Sequence, residues 1–304
     1  MPQLLGKSAL KVLLGLVFII SAVLKILEMD RFEIYIYSFH FFSLNFSYLV
    51  SRAAIIVELV LGIGLIANYL HKLMWWGSMA LLLGYSLLLL YAIVTGRTDS
   101  CHCFGDFIQL DAKQSLIKNG VLFFLFILIY NMEEWETPFR WLLLSLTVIV
   151  STTAVFVVSP PDNYISNDAP EHRLQEELFN SMLDEPPFDK LNLRQGKYIV
   201  CFYSTGCEYC QLAARKLSLM QRFNRFHPGR IVYVFMGSKE GVMKFYRSSE
   251  SARYRNLLYN DMSNLLKIVG GDFPLIVLLR DGEVVHEYGF RDMNEEEIKA
   301  FMAS

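Results

Sequence analysis

The sequence predicts a helical membrane bundle of five spans followed by an α/β domain, and three observations carry that prediction. Apolar residues make up 54% of the 304 residues and charged residues only 19%, against roughly 25% charged in an average soluble chain. That apolar excess is uneven: residues 1–158 carry 10 Lys+Arg and 10 Asp+Glu, whereas residues 159–304 carry 18 and 20. Finally, five long apolar runs precede a Pro-Pro break, and alternating strand and helix patterns follow it. The two parts need different solvents. The first part is neutral and the second has a net charge of −2, so neither offers the basic surface that nucleic acid requires. The high aromatic content also excludes disorder.

A bilayer core of about 30 Å takes roughly 20 apolar residues per helix. Spans are expected at about 8–27, 48–69, 73–94, 116–130 and 141–158. Between the first two, residues 28–47 carry Asp30, Arg31 and Glu33 and then Tyr35, Tyr37, Phe39, Phe41 and Phe42. This reads as a helix lying at the interface, where aromatic rings prefer to sit. The Trp75-Trp76 pair reads as a surface anchor of the same kind. The first run ends in Lys25, lacks a small-residue cleavage site and is followed by further spans, which predicts an anchor and not a removed signal. With the amino terminus inside, Lys7, Lys11, Lys72 and Arg140 face in while Lys25, Arg31, Arg52, Arg97, Lys113 and Lys118 face out, so charge bias alone does not favour that orientation. Parity is independent of orientation. Two spans separate the loop after Val94 from the segment after Val158, which puts both on one face of the bilayer.

Ser159-Pro160-Pro161-Asp162-Asn163 ends the fifth span. Residues 159–186 are expected to form a linker and helix, and residues 187–304 a second domain. Residues 198–203 (Tyr-Ile-Val-Cys-Phe-Tyr) have the β-formers of a buried strand, and Ser204-Thr205-Gly206 turns the chain into a helix opening at Cys207. A strand at 231–236, helices near 239–251 and 262–268, and a hairpin of 275–279 and 283–288 around Arg280-Asp281-Gly282 follow. Asn294 caps a final helix whose first turn is acidic.

Five cysteines form two close pairs and a remainder. Cys207-Glu208-Tyr209-Cys210 sits at a strand-to-helix junction, where unpaired N–H groups favour a thiolate on the first sulfur. Cys207 is then the nucleophile and Cys210 resolves the mixed disulfide. Half a zinc site and two unrelated core cysteines are the competing readings; for zinc, this domain has no second Cys-X-X-Cys or paired histidines. Cys201 reads as core packing. Cys101-His102-Cys103 lies between the third and fourth spans. As a redox pair it forms a small, readily exchanged disulfide, with His102 lowering a thiol pKa; as a metal site it uses both sulfurs and His102, with His40 a candidate fourth ligand; as a structural clip it only closes the loop. Glu58, in mid-span, reads either as a functional group or as a helix-packing hydrogen bond. His71, His172, His227 and His286 read as surface or turn residues.

Over residues 187–303 the second domain resembles the thioredoxin fold, on Ser204-Thr205-Gly206-Cys207-Glu208-Tyr209-Cys210 and on Gly271-Asp272-Phe273-Pro274 before a strand. The resemblance implies a cis peptide before Pro274 and substrate docking at Phe273 and Pro274. Glu208-Tyr209 departs from the Gly-Pro of thioredoxin, and an acid beside Cys207 disfavours its thiolate. Where such proteins often bury an acid, this chain has Cys201. The membrane half resembles the MauE/DoxX family of redox-associated membrane proteins on Ser21-Ala22-Val23-Leu24-Lys25, on the acidic-aromatic stretch 28–32, on Glu58 before Gly62 and Gly64, and on Cys101-His102-Cys103-Phe104-Gly105-Asp106. That implies a four-helix bundle, to which the fifth span is an addition, and a role with disulfides of exported proteins.

One membrane pair and one shuttle pair suit a thiol oxidase linked to a quinone better than an electron conduit needing thiols on both sides. The expected partners are exported cysteine-containing proteins, the lipid bilayer and a quinone, with both pairs on the periplasmic face of a bacterial inner membrane. Two alternatives stand beside it: a membrane-tethered reductase or redox chaperone, and a non-enzymatic metal-binding assembly factor.

Overall fold

The computed structural model describes residues 2–95, 111–132, 138–162 and 174–303. They divide into two compact units, one of Met1–Phe39 and Phe46–Pro161 and the other of His40–Asn45 and Asp162–Ser304. Cys101, His102, Cys103 and His172 lie outside the described residues.

The first unit is helical: α1 (Pro2–Leu27), α2 (Met29–Ser38), α3 (Leu44–Ala67), α4 (His71–Val94), α5 (Ala112–Ile129) and α6 (Arg140–Val158). Five of these are long and apolar enough to cross a bilayer, and they fall on the five expected spans. The chain is a multi-pass membrane protein. Its α5 begins at Ala112 rather than near 116 because Asp111 and Gln114 form a reciprocal capping box, with Gln114 N–H donating to Asp111 Oδ1 at 2.7 Å. Large apolar side chains such as Leu87, Phe124, Ile149 and Val150 stay exposed on helix faces, as lipid requires.

Helices α1 and α3 meet through glycine. A Cβ on Gly62 would lie 2.8 Å from the Gly15 carbonyl oxygen, and one on Gly15 would lie 2.7 Å from that of Gly62. Small residues of this kind let two backbones touch inside a membrane. Phe18 of α1 then meets Phe126 of α5 edge to face at 5.9 Å, within a core that includes Leu14, Leu61, Leu65, Met74, Leu82 and Leu122.

Three interface expectations change here. The helix expected across 28–47 is α2, only ten residues long, and Phe32, Tyr35 and Phe39 pack inward against Ala22, Ile55, Leu89 and Val155; Phe41 and Phe42 remain exposed. Trp75 is no surface anchor: it is buried and its indole N–H donates to the Phe126 carbonyl at 2.7 Å, while Trp76 is exposed. His71 is buried at the start of α4 with Nε2 3.0 Å from the Ile129 carbonyl, so it tethers α4 to the end of α5 and is not a surface residue. For Trp75 and His71 a ring nitrogen meets a carbonyl in the last turn of α5, which burial in hydrocarbon makes costly to leave unpaired.

The second unit contains α7 (Glu176–Leu183), β1 (Lys197–Ser204), α8 (Glu208–Asn224), β2 (Ile231–Met236), α9 (Lys239–Ser249), β3 (Arg255–Tyr259), α10 (Met262–Ile268), β4 (Leu275–Arg280), β5 (Glu283–Tyr288) and α11 (Glu295–Ala303). The strand order is β3-β2-β1-β4-β5, with β1, β2 and β3 parallel and β4 and β5 antiparallel. This is an α/β thioredoxin-like domain. Alternation along β1 sends Tyr198, Val200 and Phe202 into one core with α7 and α10. Cys201 and Tyr203 point the opposite way, where Tyr203 stacks on Phe245 of α9 at 5.5 Å. The hairpin turns at Asp281 and Gly282, both with positive φ (54° and 88°), as an Asp-Gly turn allows. Strand β3 was not foreseen: it is a partly exposed edge strand opening on Arg255 and Asn256.

Candidate redox site

The site is built where β1 hands over to α8. Ser204 closes the strand, the Thr205 N–H donates to the Met236 carbonyl of β2 at 3.0 Å, and the Cys207 N–H donates to the Ser204 carbonyl at 3.1 Å. Two glycines make room for this turn. A Cβ on Gly237, whose φ is +146°, would sit 2.1 Å from Thr205 Oγ1, and one on Gly241 would sit 2.7 Å from the same atom. Neither glycine carried a sequence signal.

Cys207 is the N-cap of α8, and its Sγ accepts the Cys210 backbone N–H at 3.2 Å. Its sulfur is half-buried, whereas Cys210 is fully buried; both are free thiols in this structure. The hydrogen bond from the Cys210 thiol is the largest influence on Cys207 and pulls its pKa down to about 6, with the backbone N–H groups of Cys210 and Tyr209 helping. Burial opposes this, and so does Glu208, whose charge is the smallest of the influences. Helix-end donors therefore outweigh the neighbouring acid. Burial, and then its bond to Cys207, pushes the Cys210 thiol far up. The two sulfurs have opposite characters: one is a thiolate at neutral pH and accessible, the other a protonated thiol held behind it.

Across from them, the peptide between Phe273 and Pro274 is cis. The Phe273 carbonyl oxygen lies 3.9 Å from Cys207 Sγ. Phe273 is partly exposed and Pro274 buried. Exposed Tyr209 packs on Phe290 at 5.4 Å, and under the same helix Lys216 is buried, its ammonium donating to the Phe290 carbonyl at 2.9 Å. Cys201 lies in the sheet core between Tyr233 and Ile276 of the neighbouring strands. Burial pushes its thiol well up, so it supplies no acid to the pair.

In the membrane unit, Glu58 accepts two hydrogen bonds from the Lys25 ammonium, at 2.8 and 2.9 Å, and one from the Tyr85 hydroxyl at 2.6 Å. Both charged side chains are 2% exposed. Lys25 therefore does not flank its span as the sequence suggested; it turns inward and also bonds Ser21 at 2.6 Å.

Residues 5–132 match the model of the family described as methylamine utilisation protein MauE. The MauE match runs through α1 to α5, takes in Glu58 and the Cys101-His102-Cys103 segment, and stops before α6. The chain is also 24% identical over 295 residues to Protein TlpB of Flavobacterium psychrophilum, covering 81% of this chain and 80% of that one, so this likeness spans both units. Among solved structures, the thioredoxin domain of a thiol-disulfide oxidoreductase from Bacteroides vulgatus matches 36% of this chain and 81% of its own, at 17% identity and a TM-score of 0.31. A thiol:disulfide interchange protein from Bacteroides sp. matches 38% and 78%, at 16% identity and a TM-score of 0.31.

Proposed function

We propose that this chain is a membrane-bound thiol–disulfide oxidoreductase that draws electrons from the thiols of exported proteins and passes them to a quinone. The observation that carries the reading is Cys207 itself: half-buried, capping α8, bonded by the Cys210 N–H and with its pKa lowered to about 6, so that it is a thiolate at neutral pH. A low-pKa sulfur so placed is a good leaving group, so a substrate thiolate displaces Cys207 readily from the mixed disulfide. The Phe273 carbonyl 3.9 Å from Cys207 Sγ supports substrate docking there, because backbone beside the sulfur can pair with an extended substrate segment.

The electron balance is simple. A substrate dithiol attacks the Cys207–Cys210 disulfide at Cys207, and the mixed disulfide resolves when the second substrate sulfur displaces Cys207. The substrate leaves as a disulfide, having given two electrons and two protons. The reduced pair then exchanges with the Cys101–Cys103 disulfide in the same way, and the Cys101/Cys103 dithiol is reoxidised by the quinone, which leaves as a quinol. On this reading both pairs face the periplasm, where disulfides persist, and His102 tunes the thiol beside it.

A Cys210→Ser variant removes the resolving sulfur. It is expected to accumulate a mixed disulfide between Cys207 and Cys101 or Cys103, visible as a reducible cross-link between peptides of the two units. Absence of that cross-link with both membrane cysteines present sinks the relay. Membrane-impermeant alkylation of intact cells tests the side: Cys207 protected until lysis would reverse the orientation.

A further inference from the structure

Tyr209 and Lys216 stand two turns apart on α8, so their side chains leave the same face of the helix about 10.5 Å apart along its axis, at 1.5 Å rise per residue. Tyr209, between the two cysteines, is 48% exposed, whereas Lys216 is 1% exposed. Phe290, in the loop between β5 and α11, meets both. Its ring lies 5.4 Å from that of Tyr209 and 4.1 Å from the Lys216 ammonium, and its carbonyl accepts from that ammonium at 2.9 Å. The loop is closed on itself, the Gly289 N–H donating to Asp292 Oδ1 at 2.6 Å. Its Arg291, 5.8 Å from the Tyr209 ring, binds Asp162 at 3.0 Å, and Asp162 Oδ2 lies 3.9 Å from the Lys216 ammonium.

Filling space does not require an ammonium under α8. A methionine would occupy the same volume without desolvating a charge, and a buried ion is costly. What the ammonium adds is direction: it fixes one residue twice, the Phe290 carbonyl by a hydrogen bond and the Phe290 ring by a cation–π contact. With both held, the ring stands in one place, and that place is against Tyr209. Exposed aromatic residues held from behind in this way are the ones that carry binding energy for a polypeptide partner. A small thiol reagent has no flanking side chains to meet them.

We propose that Lys216 is a positioning residue for the exchange at Cys207: through Phe290 it sets Tyr209 as a wall that receives an apolar or aromatic side chain flanking the cysteine of a protein substrate. The proposal rests on thiol–disulfide exchange at Cys207 and is independent of the quinone and of Cys101 and Cys103. The exchange itself is unaltered: the substrate dithiol becomes a disulfide, and its two electrons and two protons convert the Cys207–Cys210 disulfide to two thiols. The Cys207 thiolate is held by the Cys210 thiol and by backbone N–H groups, so moving the Tyr209 ring changes which substrate reacts and leaves the acidity of the sulfur alone.

The test uses the full-length protein in detergent, carrying Cys101→Ser/Cys103→Ser so that the Cys207–Cys210 disulfide alone takes electrons. Single-turnover reduction of that disulfide is followed by acid quench and mass spectrometry. The reductants are dithiothreitol and two dithiol peptides that differ only in Phe or Ser beside each cysteine, each peptide rate being divided by that peptide's rate with glutathione disulfide. The native site should prefer the Phe peptide by about fivefold or more, as a well-placed aromatic contact gives. Lys216→Met, Phe290→Leu and Tyr209→Ala should each abolish most of that preference, with the dithiothreitol rate and the Cys207 midpoint near pH 6 unmoved. Lys216→Met/Tyr209→Ala should lose no more than Tyr209→Ala alone, because the two residues act through one ring. Should Lys216→Met fail to fold, Lys216→Met/Asp162→Asn, which removes the carboxylate beside the lost ammonium, and Phe290→Leu carry the test. A lowered melting temperature with the Phe preference intact makes Lys216 merely structural and overturns the proposal. Equal native rates for the two peptides overturn the wall alone, whereas a disulfide that neither peptide reduces overturns the oxidoreductase reading of Cys207 along with it.

Discussion

Replacing Cys210 by Ala rather than Ser separates the causes of Cys207 reactivity, because Ser keeps an O–H donor where Ala keeps none. In the native chain the Cys210 thiol is the largest of the influences that bring Cys207 down to about 6. At pH 7 such a sulfur is about 90% thiolate, against about 3% for an ordinary cysteine with pKa ≈ 8.5. The roughly 30-fold excess of thiolate does not become a 30-fold rate. Nucleophilicity falls with pKa with a slope of about 0.4–0.5 per unit, which takes back about 10-fold over 2.5 units. Alkylation of Cys207 at pH 7 should therefore be only about 2–3-fold faster than that of a free thiol, and about 20-fold faster at pH 5, where the ordinary cysteine is almost wholly protonated. The informative quantity is the midpoint. Peptide-resolved iodoacetamide labelling of the reduced, full-length protein between pH 4 and 10 should titrate Cys207 near pH 6, with buried Cys210 and Cys201 silent until far higher pH. Cys210→Ala should raise the midpoint toward the ordinary range, short of it because the backbone N–H groups remain; Cys210→Ser should raise it less. A native midpoint above 8, or identical midpoints in the two variants, refutes the hydrogen-bond explanation.

Two further outcomes follow from buried groups. Arg52 is 1% exposed and binds Glu33, the Tyr48 carbonyl at 2.7 Å, and the Ser159 and Pro160 carbonyls at 2.8 Å each, so it ties α3 to α2 and to the end of α6. Arg52→Met strands the Glu33 carboxylate and should cost about 3–5 kcal/mol in thermal or denaturant unfolding in detergent, while Arg52→Met/Glu33→Leu should regain the greater part; equal losses in both would show that the ion pair is not what matters. Cys201→Ala removes one buried atom from the sheet core and should cost about 0.5–1.5 kcal/mol while leaving the Cys207 midpoint and dithiol oxidation unmoved; lost oxidation in a folded variant would give Cys201 a redox role.

The spans and the Cys-X-X-Cys junction were legible because each announces itself locally. A run of twenty apolar residues has few other uses, and a β-rich hexapeptide, a small turn and two cysteines at helical spacing fix where the sulfurs stand. The capping box at Asp111 and Gln114 was equally local and would have placed the start of α5. What local pattern does not hold is the partner. Trp75 next to Trp76 looks like an interfacial pair until the Phe126 carbonyl is found across a helix contact. Edge strand β3 is half-exposed and polar at its start, so neither a buried run nor a clean alternation marks it. Glycines 237 and 241 matter only because Thr205 lies against them, more than thirty residues away in sequence.

The buried charges hold one signal that sequence order does contain. Along α1 and α2 the chain places a base, Lys25, before an acid, Glu33; along α3 it again places a base, Arg52, before an acid, Glu58. Were the two stretches to lie parallel in register, like charges would meet. Running antiparallel, as the Gly15–Gly62 contact has them, the same order brings Lys25 to Glu58 and Glu33 to Arg52 together. Each wrong pairing would bury two like charges, so the two ion pairs specify direction and register more than they add net stability. This also separates the two roles open to Glu58. Pairing with Lys25 is half of an alignment device that any acid–base exchange could serve, whereas its bond to Tyr85 has no part in alignment. A Lys25→Glu/Glu58→Lys swap should then fold and keep the pair but put a cation where Tyr85 meets an acid, and loss of dithiol oxidation in that folded variant would assign Glu58 a role that alignment does not explain.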